Sequence, residues 1–399
     1  MSPRELAIGS RIKRARKRSG RTQAAVAGLC GITEAYLSQI ERGLKLPSID
    51  VLVLLAREVD EPLASLLDDA PVVEAPAPQT APAVAAALVA PSCPAGDQSP
   101  SPQALRERVE NIWRVWQTSP TRFSEAAELL PDLIAEVEQA LRFYRGSTEA
   151  EKRRQIATSA ADLYGMVRSY CRRTGRIDLS LMVADRARRA AEDAEDHLRI
   201  AAAQWNLGHV LLGDGQPEGA EAVAREAIEQ LSTHPTTSET VAMTGALELV
   251  TATSAIRRKA WWTARELLDG SAARHAQQVG EGNVMWTVFG PTNVALHQLS
   301  VEMEAGQTSD ALRLADQVNI AHLPSRERRF TFRLEVARCY APRREDAAVL
   351  VHLLDLEELA PEDVMHSGDA RELISTLLRR VRPTYRKQVV GLADRMGVS

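Results

Sequence analysis

From Leu6 to Leu67 apolar residues recur at three- and four-residue steps between polar turns, which is the period of an amphipathic helix. The pattern predicts five short helices over 5–18, 22–29, 33–42, 48–59 and 62–68. Thr22, Thr33 and Ser48 each stand before one of these runs, where a hydroxyl can accept from an otherwise unpaired backbone N–H, and Pro47 sits just ahead of the last of them. Gly20 and Gly43 follow helix ends, where a left-handed cap costs glycine least.

The pattern changes over residues 71–103, where eight prolines are spread among alanines. Such a stretch cannot build a packed core, so a largely disordered tether is expected there. From Gln103 onward the helical period returns and no alternating strand pattern competes with it. A short turn followed by an alanine opening a second helix recurs at Ala220, Ala264, Ala311 and Ala347, which lie 44, 47 and 36 residues apart. A tetratricopeptide repeat has a period of about 34 residues and a Leu-Gly pair well before that alanine. Leu207-Gly208 with Ala220 and Ala227 fits this spacing, while the other units keep the alanine and lose the pair. The expected fold is all-α: a five-helix head over 1–70, a linker over 71–103, and over 104–399 an α-solenoid of degenerate tetratricopeptide-like repeats.

At 399 residues the chain is too long for one ordinary core, which agrees with this division. Hydrophobic residues make up 45% and charged residues 26%, the balance of a protein that folds in water. The net charge is only −4, so composition alone does not imply a polycation. The distribution says more: between Arg11 and Arg21 seven residues are basic and none is acidic, a patch of the kind that tracks phosphates. Four scattered cysteines (Cys30, Cys93, Cys171 and Cys339) form no CxxC pair and no metal-ligand spacing. They suit a reducing cytoplasm. No stretch approaches the ~18 apolar residues of a membrane span. GxSxG, P-loop, GxGxxG and HExxH motifs are all missing and the eight histidines are dispersed, so no catalytic, metal or cofactor site is expected.

The segment TQAAVAGLCGITEAYLSQIERG places helices 22–29 and 33–42 around a tight turn at Cys30-Gly31-Ile32. This is the two-helix unit that lays its second helix in the DNA major groove. With IGSRIKRARKRSG before it and LKLPSIDVLVLLAREVDEPLASLL after it, the sequence resembles the Cro/C1-type, or XRE-type, helix-turn-helix family over about residues 8–67. On helix 33–42 Leu37 and Ile40 should face the core, leaving Ala35, Ser38, Gln39 and Arg42 on the opposite face. Glu41 falls on the inward side, where a lone carboxylate is costly, and Arg16 of the first helix is its candidate partner. The resemblance implies the same pairing.

The resemblance also implies base reading by Glu34, Ala35 and Gln39, with Ser38 on the same face. Gln39 can bond adenine in a bidentate way, Glu34 can accept from cytosine N4, and Ala35 can touch a thymine methyl. Gln23 matches a glutamine that contacts phosphate and braces the recognition helix. Arg11, Arg42 and Lys45 are expected beside phosphates, adding salt-dependent affinity rather than specificity. Ala25-Val26-Ala27 departs from the Glu-Leu-Ala commoner in the family, and Arg21 is an unusual basic residue before Thr22.

Stacked helical repeats form a curved surface that commonly holds a peptide, a small molecule or another protein. The architecture resembles regulators that join a repressor-like head to a tetratricopeptide sensor, in which asparagines on concave helices clamp a peptide. On that resemblance Asn206 and Asn293, with Arg168, His209 and His297, are the candidate ligand residues. Trp113, Trp116, Trp261 and Trp262 are expected to fill the inter-helix core. The expected function is sequence-specific binding of double-stranded DNA in its major groove by a homodimeric, cytoplasmic, nucleoid-associated bacterial regulator. The competing reading is a helical-repeat scaffold or antitoxin-like module whose head only autoregulates.

Overall fold

The computed structural model describes residues 8–9, 11–13, 15–16, 21–59, 66, 80–89, 101–146 and 148–398. The chain divides into two compact units, Met1–Ala75 and Pro76–Ser399. In the first unit α1 (Gln23–Leu29), α2 (Glu34–Glu41) and α3 (Ile49–Glu58) follow helical residues at 8–9, 11–13 and 15–16. The three expected N-caps are in place: Thr22 accepts from the Ala25 amide, Thr33 from Tyr36 and Ser48 from Val51. Each hydroxyl satisfies one of the donors a helix start leaves unpaired, worth about 1 kcal/mol. Ile12, Ala15, Val26, Leu37, Ile40, Leu52, Leu55 and Leu66 form one core. Gly20, half of the first expected helix and most of the fifth lie outside the described residues.

In the second unit residues 82–89, expected within the disordered tether, form α4 (Pro82–Val89). Pro82 opens the helix, where its missing N–H is harmless, and the alanines after it are the best helix formers. Val84 and Leu88 are fully buried in the core of the unit, so about two apolar turns in an otherwise proline-broken stretch suffice to dock. The Thr80 hydroxyl bonds that of Thr174 at 2.5 Å and the Leu88 carbonyl accepts from Arg186 at 3.0 Å.

Antiparallel helices follow: α5 (Pro102–Thr118), α6 (Arg122–Arg145), α7 (Ala150–Arg173), α8 (Ile177–Asp193), α9 (His197–Gly213), α10 (Pro217–Ser232) and α11 (Ser238–Arg257). Next come α12 (Trp261–Leu267), continued by a π-turn (Leu268–Ala272) into α13 (Ala273–Val279), then α14 (Pro291–Glu304) and α15 (Thr308–Ala315). The unit ends with α16 (Arg326–Tyr340), α17 (Asp346–Leu359), α18 (Pro361–His366), α19 (Gly368–Arg380) and α20 (Pro383–Met396).

The repeat is a property of the turns. Gly175, Gly215, Lys259, Gly306 and Arg344 all take a left-handed φ between helices of a pair. The residue after each donates back to the carbonyl five positions earlier: Arg176 to Cys171, Gln216 to Leu211, Ala260 to Ala255, Gln307 to Glu302 and Glu345 to Tyr340. This is the Schellman closure of a helix end. Five residues after each left-handed position stands a fully buried residue, Ser180, Ala220, Ala264, Ala311 and Val349 respectively. It is the fourth residue of the second helix and faces the first. Ala347, expected to be the last member of the series, is exposed; Val349 takes the place because the Arg344 turn sets the helix start two residues later than the alanines suggested. The spacing is therefore 40, 44, 47 and 38 residues.

Close packing explains the one legible Leu-Gly pair. A Cβ on Gly208 would lie 2.8 Å from Val250 Cγ1, so α9 approaches α11 only with glycine there. Trp113 and Trp116 are buried as expected. Trp262 is not: it is 78% exposed, because Ala264, two residues on and about 200° around the helix, is the buried position of α12.

The start of α6 meets α16 and α18. Arg122, fully buried at the start of α6, reaches Asp363 of α18 (Nε to Oδ2, 3.1 Å) and Glu327 of α16 (Nη1 to Oε2, 3.1 Å) while lying 4.3 Å over the Trp116 ring. Glu362 accepts from the Phe123 amide at 2.7 Å, occupying an unpaired donor at the α6 start. Arg326 donates to the Thr118 carbonyl at 2.8 Å.

Candidate functional site

In the first unit the α1–α2 turn is closed by Ile32 donating to the Ala27 carbonyl at 3.0 Å, with Gly31 at a left-handed φ. The turn directs α2 so that Leu37 and Ile40 are fully buried while Glu34, Ala35 and Arg42 are exposed and Ser38 and Gln39 half-exposed. One face of α2 is therefore held by the core and the other is open.

The holding includes a buried ion pair. Arg16 grips Glu41 with two bonds, Nε to Oε1 at 2.6 Å and Nη2 to Oε2 at 3.0 Å, and donates from Nη1 to the Arg21 carbonyl at 2.8 Å. Gln23 adds a 2.6 Å bond to Glu41 Oε2. The Glu41 side chain is only 1% exposed, so these three donors replace the water it has lost. The bonds to Glu41 raise the Arg16 pKa above its already high ordinary value, so the guanidinium stays charged. Gln23 thus joins the start of α1 to the end of α2, and it stays half-exposed.

Arg42 folds its Nε onto the Ser38 carbonyl at 3.2 Å and Lys45 lies 5.6 Å from the Tyr36 ring, both on exposed side chains at the α2 end. Arg11 donates to the Leu66 carbonyl at 2.9 Å, an internal bond that sequence reasoning did not suggest. Two further residues escaped it. Arg21 ties the first unit's surface through Glu58, bonding its carbonyl and its carboxylate at 2.8 Å each. Gly9 sits where a Cβ would fall 2.0 Å from the Ile40 carbonyl oxygen, so the first helix touches the backbone of α2.

The second unit carries a two-lobed cleft. One lobe, about 260 Å³, lies among α5, α7, α9, α11, α16 and residues 286–288; the other, about 310 Å³, among α11, α14, α16 and the start of α19. Arg173, His209, Arg257, Arg328 and Thr331 line both. Of the five expected ligand residues, Arg168 and His209 line the first lobe and His209 and His297 the second. Asn206 and Asn293 are buried and line neither. Asn206 is engaged by Arg168 and packed where a Cβ on Gly165 would lie 2.9 Å from its Nδ2, and the Asn293 backbone carbonyl meets His297 Nδ1 at 2.9 Å. The Asn206 side chain thus holds a cleft residue instead of opening onto the cleft, and the Asn293 Oδ1 is buried without a bond.

Electrostatics divides the lobes. Burial, then the neighbouring arginines, lowers the Arg168 pKa to about 9 and that of Arg172 to about 10. The same causes keep His209 well below its ordinary value. Burial and Arg328 bring His297 to about 4. Both histidines are neutral at pH 7. Burial alone would raise Glu327, but Arg173, Arg122 and Arg328 hold it well below the ordinary range. In the second lobe burial pushes Glu335 up to about 7.

Residues 12–66 match the profile of the helix-turn-helix family HTH_3. No curated protein matches the sequence. Solved structures similar to the chain include PlcR of Bacillus thuringiensis in complex with the peptide PapR7 and DNA, at 12% identity and TM-score 0.38, covering 86% of this chain and 99% of that one. The apo form of RapI aligns at 12% identity and TM-score 0.39 over 74% of this chain and 85% of that one. Apo ComR of S. thermophilus aligns at 12% identity and TM-score 0.34 over 94% and 99%. With all three TM-scores below 0.5, these superpositions carry no argument about what this chain binds.

Proposed function

We propose that this chain, whose residues 12–66 belong to the helix-turn-helix family, is a sequence-specific transcriptional regulator that sets α2 in the DNA major groove. The observation that carries the reading is the division of α2: its Leu37–Ile40–Glu41 side is locked to the core by Arg16 and Gln23, and its Glu34, Ala35, Ser38 and Gln39 side is open to solvent. In this reading those four residues meet base edges, and Arg11, Gln23, Arg42 and Lys45 meet phosphates. One head of this size buries too little DNA for high affinity, so the protein acts as a dimer on half-sites about one helical turn apart. The second unit senses a peptide, small molecule or partner protein through its cleft. The work is done on the bacterial nucleoid, in the cytoplasm.

Selection of bound sites from genomic fragments tests the proposal. Gln39→Ala should relax preference at one base pair by about 1–3 kcal/mol. Lys45→Ala should weaken all sites alike and reduce the slope of log K against log salt by about one. Retained site preference in both Gln39→Ala and Glu34→Ala would overturn the base-reading assignment. Sedimentation of the protein with a selected site gives the stoichiometry, and one chain per site would overturn the dimer.

A further inference from the structure

We infer that the first lobe of the cleft binds an anionic ligand, a molecule carrying a carboxylate or phosphate group, held by the guanidiniums of Arg168, Arg172, Arg173, Arg257 and Arg328. The inference deepens the sensor reading of the second unit and rests on it for its biological meaning.

Among the described residues the lobe is lined by those five arginines and by one carboxylate, Glu327. That carboxylate is already shared between Arg173 and Arg122. Arg168 finds only the neutral amide oxygen of Asn206, and no side-chain bond or ion pair joins Arg172, Arg257 or Arg328 to a carboxylate among the described residues. The Nε atoms of Arg168, Arg172 and Arg173 are buried with no acceptor, and Arg168 as a whole is 2% exposed. Buried guanidinium N–H groups without acceptors are costly, and a buried cation without a counter-charge more so. His209 adds no charge of either sign. The depressed pKa values of Arg168 and Arg172 express the same crowding.

The second lobe shows what balance looks like in this protein. There Arg338 lies 3.1 Å from Glu304 and 3.4 Å from Asp369. An oxyanion is therefore favoured at the first lobe over its neighbour. The walls strengthen the attraction: Trp113 and Trp286 stack at 5.1 Å, and Trp116 and Trp205 complete an apolar surround in which charges act at lower dielectric. One wall is held under strain. Met285, Trp286 and Val288 take left-handed φ values of 48°, 65° and 55°, which are costly at non-glycine residues, and reciprocal bonds between Gln117 and Asn283 keep the segment in place. Strain retained beside unneutralised charge marks a surface shaped for a ligand.

The test uses the full chain without DNA: melting curves and titration calorimetry with inorganic phosphate and with citrate, against potassium chloride at equal ionic strength. Arg172→Gln and Arg328→Gln are compared with Arg189→Gln on the exposed face of α8. Phosphate or citrate should raise the wild-type Tm beyond chloride, and which one does so names the ligand chemistry. Affinity should fall about tenfold or more in Arg172→Gln and Arg328→Gln and stay unchanged in Arg189→Gln. Without anion, Arg172→Gln should melt about 2 °C or more above wild type, because it relieves the repulsion that the ligand otherwise relieves. A merely structural arginine would show the reverse. The inference is overturned if neither anion acts beyond chloride, if both variants respond like wild type, or if both melt lower than wild type unliganded. Since no DNA is present, anion binding by a protein that selects no DNA site would sink the regulator reading and leave this one standing, and the converse result would do the opposite.

Discussion

Replacing Arg16 by methionine should loosen the first unit severely, and the structure sets the scale. The substitution keeps an apolar stem in place of the arginine's methylenes but strips Glu41 of two of its three donors, leaving a 1% exposed carboxylate with Gln23 alone. Breaking a buried pair from one side costs about 3–5 kcal/mol, because a charge stays buried without compensation. A domain the size of residues 12–66, at roughly 0.05–0.15 kcal/mol per residue, holds only about 3–8 kcal/mol in total. Arg16→Met should therefore unfold the head in a large fraction of molecules. Glu41→Leu should cost less, because Arg16 keeps the Arg21 carbonyl and is the more exposed partner, at 10%. The double variant should recover most of the loss, since removing both charges also removes the desolvation penalty. Melting of the whole chain would be dominated by the larger second unit, so the assay is amide hydrogen exchange read peptide by peptide across 21–59, with DNA affinity alongside. Exchange in α2 of Arg16→Met within about 1 kcal/mol of wild type, or a double variant no better than the worse single, would refute the argument.

Three further outcomes follow from particular contacts. Gly9→Ala pushes a methyl to 2.0 Å from the Ile40 carbonyl oxygen and should destabilise the head by about 1–3 kcal/mol, read by the same exchange measurement. Lys259→Gly and Arg344→Gly relieve left-handed φ values of 60° and 58° and should each stabilise the second unit by about 0.5–1 kcal/mol in thermal melts; a loss of stability would mean that those side chains pack. Glu335 has a folded pKa of about 7 against an ordinary 4.5, so the folded state binds more protons between these values and its contribution to stability declines as pH rises from 4.5 to about 7. Glu335→Gln should lack that decline. The wild-type minus variant difference in Tm isolates it from the histidines, whose lowered pKa values act in the opposite sense, and a flat difference would refute the assignment.

The head was legible because its rules are local. A hydroxyl three residues before an amide, an apolar step of three or four, and a glycine at a helix end are each satisfied within a few positions of chain, and Thr22, Thr33 and Ser48 are found where the pattern placed them. Even the Arg16–Glu41 contact, 25 residues apart, could be anticipated, since a carboxylate on the inward side of a short helix must find a cation. The repeats of the second unit were legible only in part. Their common feature is a backbone conformation, and glycine reveals it at 175, 215 and 306 but lysine and arginine hide it at 259 and 344. Their buried position asks for a residue that fits between two helices, which serine and valine meet as well as alanine does. α4 was missed for a related reason: prolines at 82 and 91 read as breakers, yet the eight residues from Pro82 form a helix that the breakers only bound.

The arginine lobe could not be read from sequence. Arg168, Arg172 and Arg173 lie on one helix whose other residues supply ordinary core, and a basic stretch on a helix usually means a solvated face. Arg257 and Arg328 come from helices 84 and 155 residues further on than Arg173. What turns them from scattered surface charge into one site is that α7, α11 and α16 converge, and α16 converges because Arg122 draws Glu327 and Asp363 onto the start of α6. The same contact that closes the unit consumes the one carboxylate that would have neutralised the lobe. Closure and unbalanced charge are thus two consequences of a single side chain. A ligand that supplied the missing negative charge would also relieve the competition for Glu327 between Arg122 and Arg173, and so strengthen the join between the start of α6 and α16.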